Sequence, residues 1–281
     1  MTATAALDAR GRTRLPNALV AGLILLAAIG AAALAAPWLA PFDPLRQDLA
    51  ANLASPSARN WLGTDEFGRD ILSRLMWGAR STLLMSALVV VTAVPIGLAV
   101  GVTAGYFGGF VDTVLSRLTD LFLAFPSLVL ALAFSAALGP GLDKAVVAVA
   151  LTSWPGLARI ARADARVVRV SDYVVADRML GASHLRILLV SVLPMVMPAI
   201  LVRTALGMAG IILTAAGLGF LGLGAQPPEP EWGAMLSTGR RYMLEHPWLV
   251  AAPGGAILLL CLAFNLIGDA LRDMLDPRTR T

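Results

Sequence analysis

Six long apolar blocks, roughly 17–38, 82–105, 121–139, 144–161, 195–221 and 248–268, constrain this chain more than any other feature. In hydrocarbon every backbone N–H and C=O must find its partner inside the protein. A run of about 20 apolar residues is therefore stable there as a helix. The blocks predict an all-α integral membrane protein with six transmembrane helices. Charge agrees with this. Only 14% of the residues are charged, against about 25% in soluble domains, which is too few to clothe a globular surface. The fourth block is the weakest, being short and interrupted by Trp154-Pro155-Gly156. A proline there, or Pro95 in the second block, is tolerated where neighbouring helices satisfy the freed carbonyl.

The first block has a rival reading. Arg10, Arg12 and Arg14 precede it and Ala-Leu-Ala stands at 33–35, as in a cleavable signal peptide. Its apolar core runs from Ala18 to Ala36, longer than the roughly 7–15 residues of such a segment. Trp38 at its far end suits an interfacial anchor. A retained span is the expectation.

The net charge of +4 comes almost entirely from arginine, and Lys144 is the only lysine. The arginines lie in short connections between apolar blocks, so they read as orientation signals and nucleic-acid binding is not expected. With the N-terminus inside, Arg10, Arg12, Arg14, Arg117, Arg159, Arg162, Arg166, Arg169, Arg178, Arg186, Arg272, Arg278 and Arg280 are cytoplasmic. Arg46, Arg59, Arg69, Arg74, Arg80, Lys144, Arg240 and Arg241 are outside. The larger inside set predicts N-in, C-in. The outside segment 41–80 is neutralised by Asp43, Asp48, Asp65, Glu66 and Asp70.

Two connections are long: 41–80, outside, and 162–194, inside. Long loops in compact folds are functional or disordered, and both are too patterned for disorder. In 162–194, Val167, Val168, Val170, Val174 and Val175, then Leu180, Leu185, Ile187 and Leu188, give a helical, amphipathic pattern. On pattern alone it is either a docking surface or an interfacial helix covering one end of the bundle.

Most motif-like features have a structural explanation. Gly217, Gly219 and Gly222 satisfy G-x-G-x-x-G, but a dinucleotide site needs a preceding strand and a following helix. Here a span precedes and Pro227-Pro228 follows. Lys144 lies between Asp143 and Ala145, so it forms no Walker A loop. Cys261 is alone, and His184 and His246 lack metal-ligand spacing. Gly97, Gly101 and Gly105, four apart, make a stripe for close helix packing, with a hinge as the alternative. Asp120, Arg203 and Asp269 are ionisable within or beside spans. Arg203, about two turns into the fifth block, is a pathway candidate that can also snorkel.

Several ordered motifs resemble one family. Trp61-Leu-Gly-Thr-Asp-Glu-Phe-Gly-Arg-Asp-Ile-Leu-Ser-Arg and Gly78-Ala-Arg-Ser are similar to the outside motif of the C-type permease subunit of dipeptide/oligopeptide/nickel ABC importers. Ala104-Gly-Tyr-Phe-Gly-Gly-Phe-Val-Asp, Leu123-Ala-Phe-Pro-Ser, Phe220-Leu-Gly-Leu-Gly-Ala-Gln-Pro-Pro, Pro230-Glu-Trp-Gly and Phe264-Asn-Leu-Ile-Gly-Asp-Ala-Leu-Arg-Asp-Met-Leu-Asp-Pro resemble its further signatures. The family's coupling motif, E-A-A, three residues, Gly, nine residues and I-x-L-P, falls on Val175 to Pro194. Ala176, Gly181, Leu193 and Pro194 match it, whereas Val175, Asp177 and Ser191 depart from Glu, Ala and Ile.

The resemblance implies a type I ABC importer transmembrane fold in the inner membrane of a prokaryote. The implied division is a cytoplasmic tail at 1–16, a first helix plus outside segment at 17–76, an ABC transmembrane domain at 77–270 and a tail at 271–281. Within it, the 162–194 loop would present Val175, Ala176, Asp177, Leu180, Gly181, Ala182 and Arg186 to an ATPase subunit. The implied partners are a second homologous permease, two ATPase subunits or domains and an extracytoplasmic substrate-binding protein. ATP and magnesium would bind on the ATPases, with no cofactor on this chain. Short peptides are the expected cargo, and nickel or a metal chelate is the main rival. A self-sufficient secondary transporter would need midplane ion sites and internal repeats. Neither is visible. A non-transporting scaffold is the third reading.

Overall fold

Among the described residues every regular element is a helix. The computed structural model describes residues 16–275. Arg10, Arg12, Arg14, Arg278 and Arg280, used in the orientation argument, lie outside the described residues, as do most of the two expected tails. In chain order the helices are α1 Asn17–Leu39, α2 Ile71–Phe107, α3 Gly109–Leu123, α4 Ser127–Leu138, α5 Leu142–Val168, α6 Asp172–Met179 and α7 His184–Arg186. A π-helical turn, Ile187–Val192, then leads into α8 Leu193–Phe220, followed by α9 Trp232–Gly239 and α10 Trp248–Leu275.

The expectation of six transmembrane helices is matched in part, by four or five candidate spans. Among the described residues, four helical runs are long and apolar enough to cross a membrane: Asn17–Leu39, Ile71–Phe107, His184–Phe220 and Trp248–Leu275. The third block is broken, because α3 and α4 meet at 89°. Pro126 precedes α4. It lacks an N–H, and its ring drives Phe125 away from helical backbone angles. The 12 residues of α4 reach only about 18 Å, short of the roughly 30 Å hydrocarbon core. Counting the bent pair as one broken span gives a fifth candidate. α5 covers the fourth block and runs unbroken through Pro155. Asp143, Lys144, Arg159, Arg162, Asp164 and Arg166 lie along it, and it is absent from the apolar set.

Among the described residues, the first compact unit runs up to Leu84 and resumes at Ala205. Within it α1 lies on α10 with very little room: a Cβ at Gly22 would stand 2.8 Å from the carbonyl oxygen of Ala263. The segment 41–80 is not all loop, since α2 begins at Ile71. Asp70 caps that start by accepting from the Ser73 backbone N–H at 2.8 Å and the Ser73 hydroxyl at 2.7 Å.

Four of the charges in this stretch are folded inward: Asp65, Arg69, Asp70 and Arg74 are buried together with Thr64 and Ser73. Arg69 Nε donates to Asp65 Oδ2 at 2.6 Å, and Arg74 donates to the Pro44 carbonyl at 3.0 Å. Asn60 Nδ2 donates to Asp70 Oδ1 at 2.9 Å.

The second unit is Met85–Thr204. Gly97, Gly101 and Gly105 all face α5. A Cβ at Gly97 would stand 2.8 Å from Leu157 Cβ, and at Gly101 and Gly105 it would overlap the carbonyl oxygens of Ala158 and Arg162. Losing these side chains lets two backbones approach closely. The core beside this contact holds Val102, Tyr106, Ala161, Ala165, Val174 and Ile187.

Candidate functional site

The segment expected to dock a partner is built from four short pieces of the second unit. α5 continues to Val168, well past the expected loop start, so the connection is shorter than 162–194 implied. After a turn at 169–171, α6 carries Val174 on its inner face, where it is fully buried with Ile187 and Val192. Val175 is exposed on the opposite side, and Met179 and Leu180 are 84% and 85% exposed. Ala176, Gly181 and Arg186 are also exposed, and Asp177 and Ala182 are half-buried. The expected residues therefore gather in one place. They divide into an outward apolar ridge and an inward anchoring face.

Gly181 ends α6. Ala182 N–H donates to the Asp177 carbonyl and Gly181 N–H donates to the Arg178 carbonyl, both at 3.0 Å. This six-to-one and five-to-two pair is a Schellman cap. It puts Gly181 at φ +79°, where a Cβ is strained. Among the described residues, no atom beyond its two chain neighbours lies within 4 Å of a Cβ placed there. The need for glycine within this chain comes from the backbone conformation of the cap.

Contacts of Tyr106, His184, Arg178 and Arg169 that sequence reasoning left out pin this element to the end of α2. Tyr106 Oη lies 2.9 Å from His184 Nδ1, and the Arg178 guanidinium sits over the Tyr106 ring at 5.0 Å. Arg169 donates to the Gly105 and Tyr106 carbonyls at 3.3 and 3.5 Å, satisfying the C-terminus of α2. In the sequence His184 suggests only a metal ligand, and it lacks the spacing for one. Its position inside a basic, amphipathic stretch was the available signal. Beside them Arg162 pairs with Asp112 through two donors, Nε and Nη2, and Arg159 pairs with Asp120 at 2.8 Å. Asp120 is thus engaged by α5. Arg203 and Asp269 are exposed on α8 and α10.

In the first unit the G-x-G-x-x-G stretch is a helix end. Gly217 and Gly219 lie in the last turns of α8, and Gly222 follows at φ +79°. A Cβ at Gly219 would overlap Glu231 Oε2. Glu231 caps α9, accepting from the Gly233 and Ala234 N–H groups at 2.7 and 2.8 Å. Burial pushes its carboxyl above the usual range, and these two hydrogen bonds pull the other way. Trp232 Nε1 donates to the Leu75 carbonyl at 2.9 Å, while a Cβ at Gly78 would stand 2.9 Å from the Trp232 ring. Three separated sequence motifs thus meet at Glu231-Trp232. The same unit holds an apolar cavity of about 770 Å³ lined by Leu213, Phe220, Leu236, Ile257, Cys261 and Asn265, among others. No cluster of three or more metal-ligating side chains occurs among the described residues.

Residues 97–281 match the family described as binding-protein-dependent transport system inner membrane component. Residues 16–56 match the N-terminal transmembrane domain of oligopeptide transport permease C. The probable D,D-dipeptide transport system permease protein of Escherichia coli (strain K12) is 46% identical over 242 residues, 86% of this chain and 81% of that protein. The nickel transport system permease protein of the same organism is 40% identical over 261 residues, 92% and 94% of the two chains. Among solved structures, the inward-facing methionine ABC transporter aligns with a TM-score of 0.55 at 19% identity, covering 72% of this chain and 97% of that one. That likeness concerns the fold alone.

Proposed function

We propose that this chain, which belongs to the binding-protein-dependent transport system inner membrane component family, passes short peptides across the membrane by alternating access. It is a multi-pass inner-membrane permease, the non-catalytic part of an ABC importer. A second homologous permease, two ATPase subunits and an extracytoplasmic binding protein complete the transporter. ATP and magnesium bind on the ATPases.

The observation that carries the mechanism is the exposed ridge of Val175, Met179 and Leu180 on a short, capped, inwardly anchored helix. An apolar ridge at helical spacing fills a groove on a partner. Closure of the ATPases would push α6. Because α6 is pinned to α2 through Arg178–Tyr106 and backs onto the π-helical turn before α8, the push reaches the spanning helices. Gly97, Gly101 and Gly105 serve as packing contacts that keep α2 and α5 together during the motion. Arg203 is a pathway candidate on α8.

The topology that fits this reading is N-in, C-in with six crossings. α3–α4 would serve as one broken crossing and α5 as another, its charges satisfied by pairing and by neighbouring subunits. Residues 1–16 and 271–281 are the cytoplasmic tails. Segments 17–76 and 77–270 are the first helix with its outside segment and the transmembrane domain, and 162–194 contains the coupling element.

The dipeptide permease relative and the oligopeptide permease match favour peptide cargo. The nickel permease relative keeps nickel or a chelate as the second reading. Proteoliposomes holding both permeases, the ATPases and the cognate binding protein should take up radiolabelled dipeptide only with ATP. Nickel uptake without dipeptide uptake would select the second reading, and uptake driven by an ion gradient alone would remove the ABC mechanism.

A further inference from the structure

Asp177 and Ser191 occupy two positions at which this chain departs from the coupling pattern of the family it resembles, aspartate for alanine and serine for isoleucine. In the structure these two departures touch. Ser191 Oγ donates to Asp177 Oδ2 at 2.6 Å across 14 positions of chain, in a half-buried setting. A pattern that places two apolar side chains here is replaced by one that places a donor and an acceptor here. Either substitution alone would leave a polar group facing an apolar neighbour, and together they satisfy each other.

The location gives the pair leverage. Asp177 and Val174 are three apart on α6 and so share one face. Val174 is the buried apolar contact of that face and Asp177 its polar one. The Asp177 carbonyl also accepts the cap bond from Ala182, so one residue holds both the end of α6 and the next element. Ser191 lies within the π-helical turn Ile187–Val192. Such turns are wide, locally under-bonded and frequent at functional sites.

We infer that Asp177 and Ser191 form a positioning pair that fixes the angle of α6 against the π-helical turn, and thereby aims the Val175–Met179–Leu180 ridge at the ATPase. The inference rests on the coupling role proposed for α6.

The test uses the complete transporter in nanodiscs and reads the ratio of ATPase rates with and without liganded binding protein. Asp177→Ala and Ser191→Ala should each lower that ratio about fivefold, the factor corresponding to one lost hydrogen bond. The double variant should be no worse than either single one. Asp177→Asn, whose amide oxygen accepts the same bond, should retain the ratio. Asp177→Ala with Ser191→Ile, which restores the family's apolar pair, should recover it.

Additive losses, an unchanged ratio in Asp177→Ala, or Asp177→Asn as poor as Asp177→Ala would each overturn the pair. A Leu180→Cys cross-link to a cysteine in the ATPase groove separates the two levels. Cross-linking with additive losses removes the pair alone. Absence of cross-linking removes the coupling role and the pair with it.

Discussion

Tyr106 Oη and His184 Nδ1 lie 2.9 Å apart although 78 positions separate them in the chain. This contact joins the last turn of α2 to the start of the run that becomes α8. Tyr106→Phe keeps the ring under Arg178 and deletes only the hydroxyl. It should loosen α6 and α7 by about 1 kcal/mol. Hydrogen exchange of amides 172–186 in nanodiscs should speed up accordingly, with amides of α10 unaffected. Equal protection in both proteins would show that the contact is incidental.

The Schellman glycine separates conformation from bulk. Gly181→Asn should be well tolerated, since asparagine visits the left-handed region readily. Gly181→Val should be destabilising by about 1–2 kcal/mol from backbone strain alone. Thermal unfolding of the purified permease reads this first, and uptake in the assembled transporter reads it second. If asparagine and valine unfold alike, the positive φ is not what requires glycine. If asparagine folds normally but uptake fails, the open space at Gly181 is needed by a partner.

Gly101 should behave unlike Gly210. A side chain at Gly101 meets the Ala158 carbonyl, whereas among the described residues no atom outside the local helix lies within 4 Å of a Cβ at Gly210. Gly101→Leu should lose about 1–3 kcal/mol through overpacking. Gly210→Ala should leave the melting temperature unchanged or raise it slightly, in line with helix propensity. Comparable losses at both sites would contradict the α2–α5 contact.

Glu231 predicts a pH effect. Its folded-state pKa is raised by burial, with the Gly233 and Ala234 hydrogen bonds opposing. A carboxyl with a raised folded pKa contributes stability that is fully present below its unfolded value and is lost as pH rises through the folded value. Glu231→Gln stays neutral throughout. Relative to wild type it should therefore gain in melting temperature as pH rises from the acidic side toward neutrality. Parallel curves for the two proteins would sink this assignment.

The side of the membrane is open to direct labelling. Asn60 is a poor reporter because its side chain bonds Asp70. Ala58 is exposed. In a Cys261→Ala background, Ala58→Cys should react with an impermeant thiol reagent added to intact cells or spheroplasts. Labelling only after lysis would reverse the proposed orientation.

The sequence alone determined that the chain is a helical membrane protein, and where its patterned segments lie. Those conclusions rest on local properties: runs of apolar residues, prolines, and the spacing of a motif. The tertiary structure decided what depends on partners distant in the chain. The charges of 41–80 looked like a solvated loop, yet inside the first unit Asp65 pairs with Arg69 and Arg74, and Asp70 accepts from Asn60 and Ser73. The third block looked like one span, yet Pro126 and the freed backbone around it turn α3 sharply into α4. Gly219 looked like part of a nucleotide motif, and its reason is the Glu231 carboxylate beside it. Asp177 and Ser191 looked like two separate losses of a family pattern, and in space they are one hydrogen bond. The chain opened as a row of apolar blocks, and those blocks told which solvent it folds in. Pairing between remote polar groups, invisible to any window of sequence, set how the segments between those blocks are held.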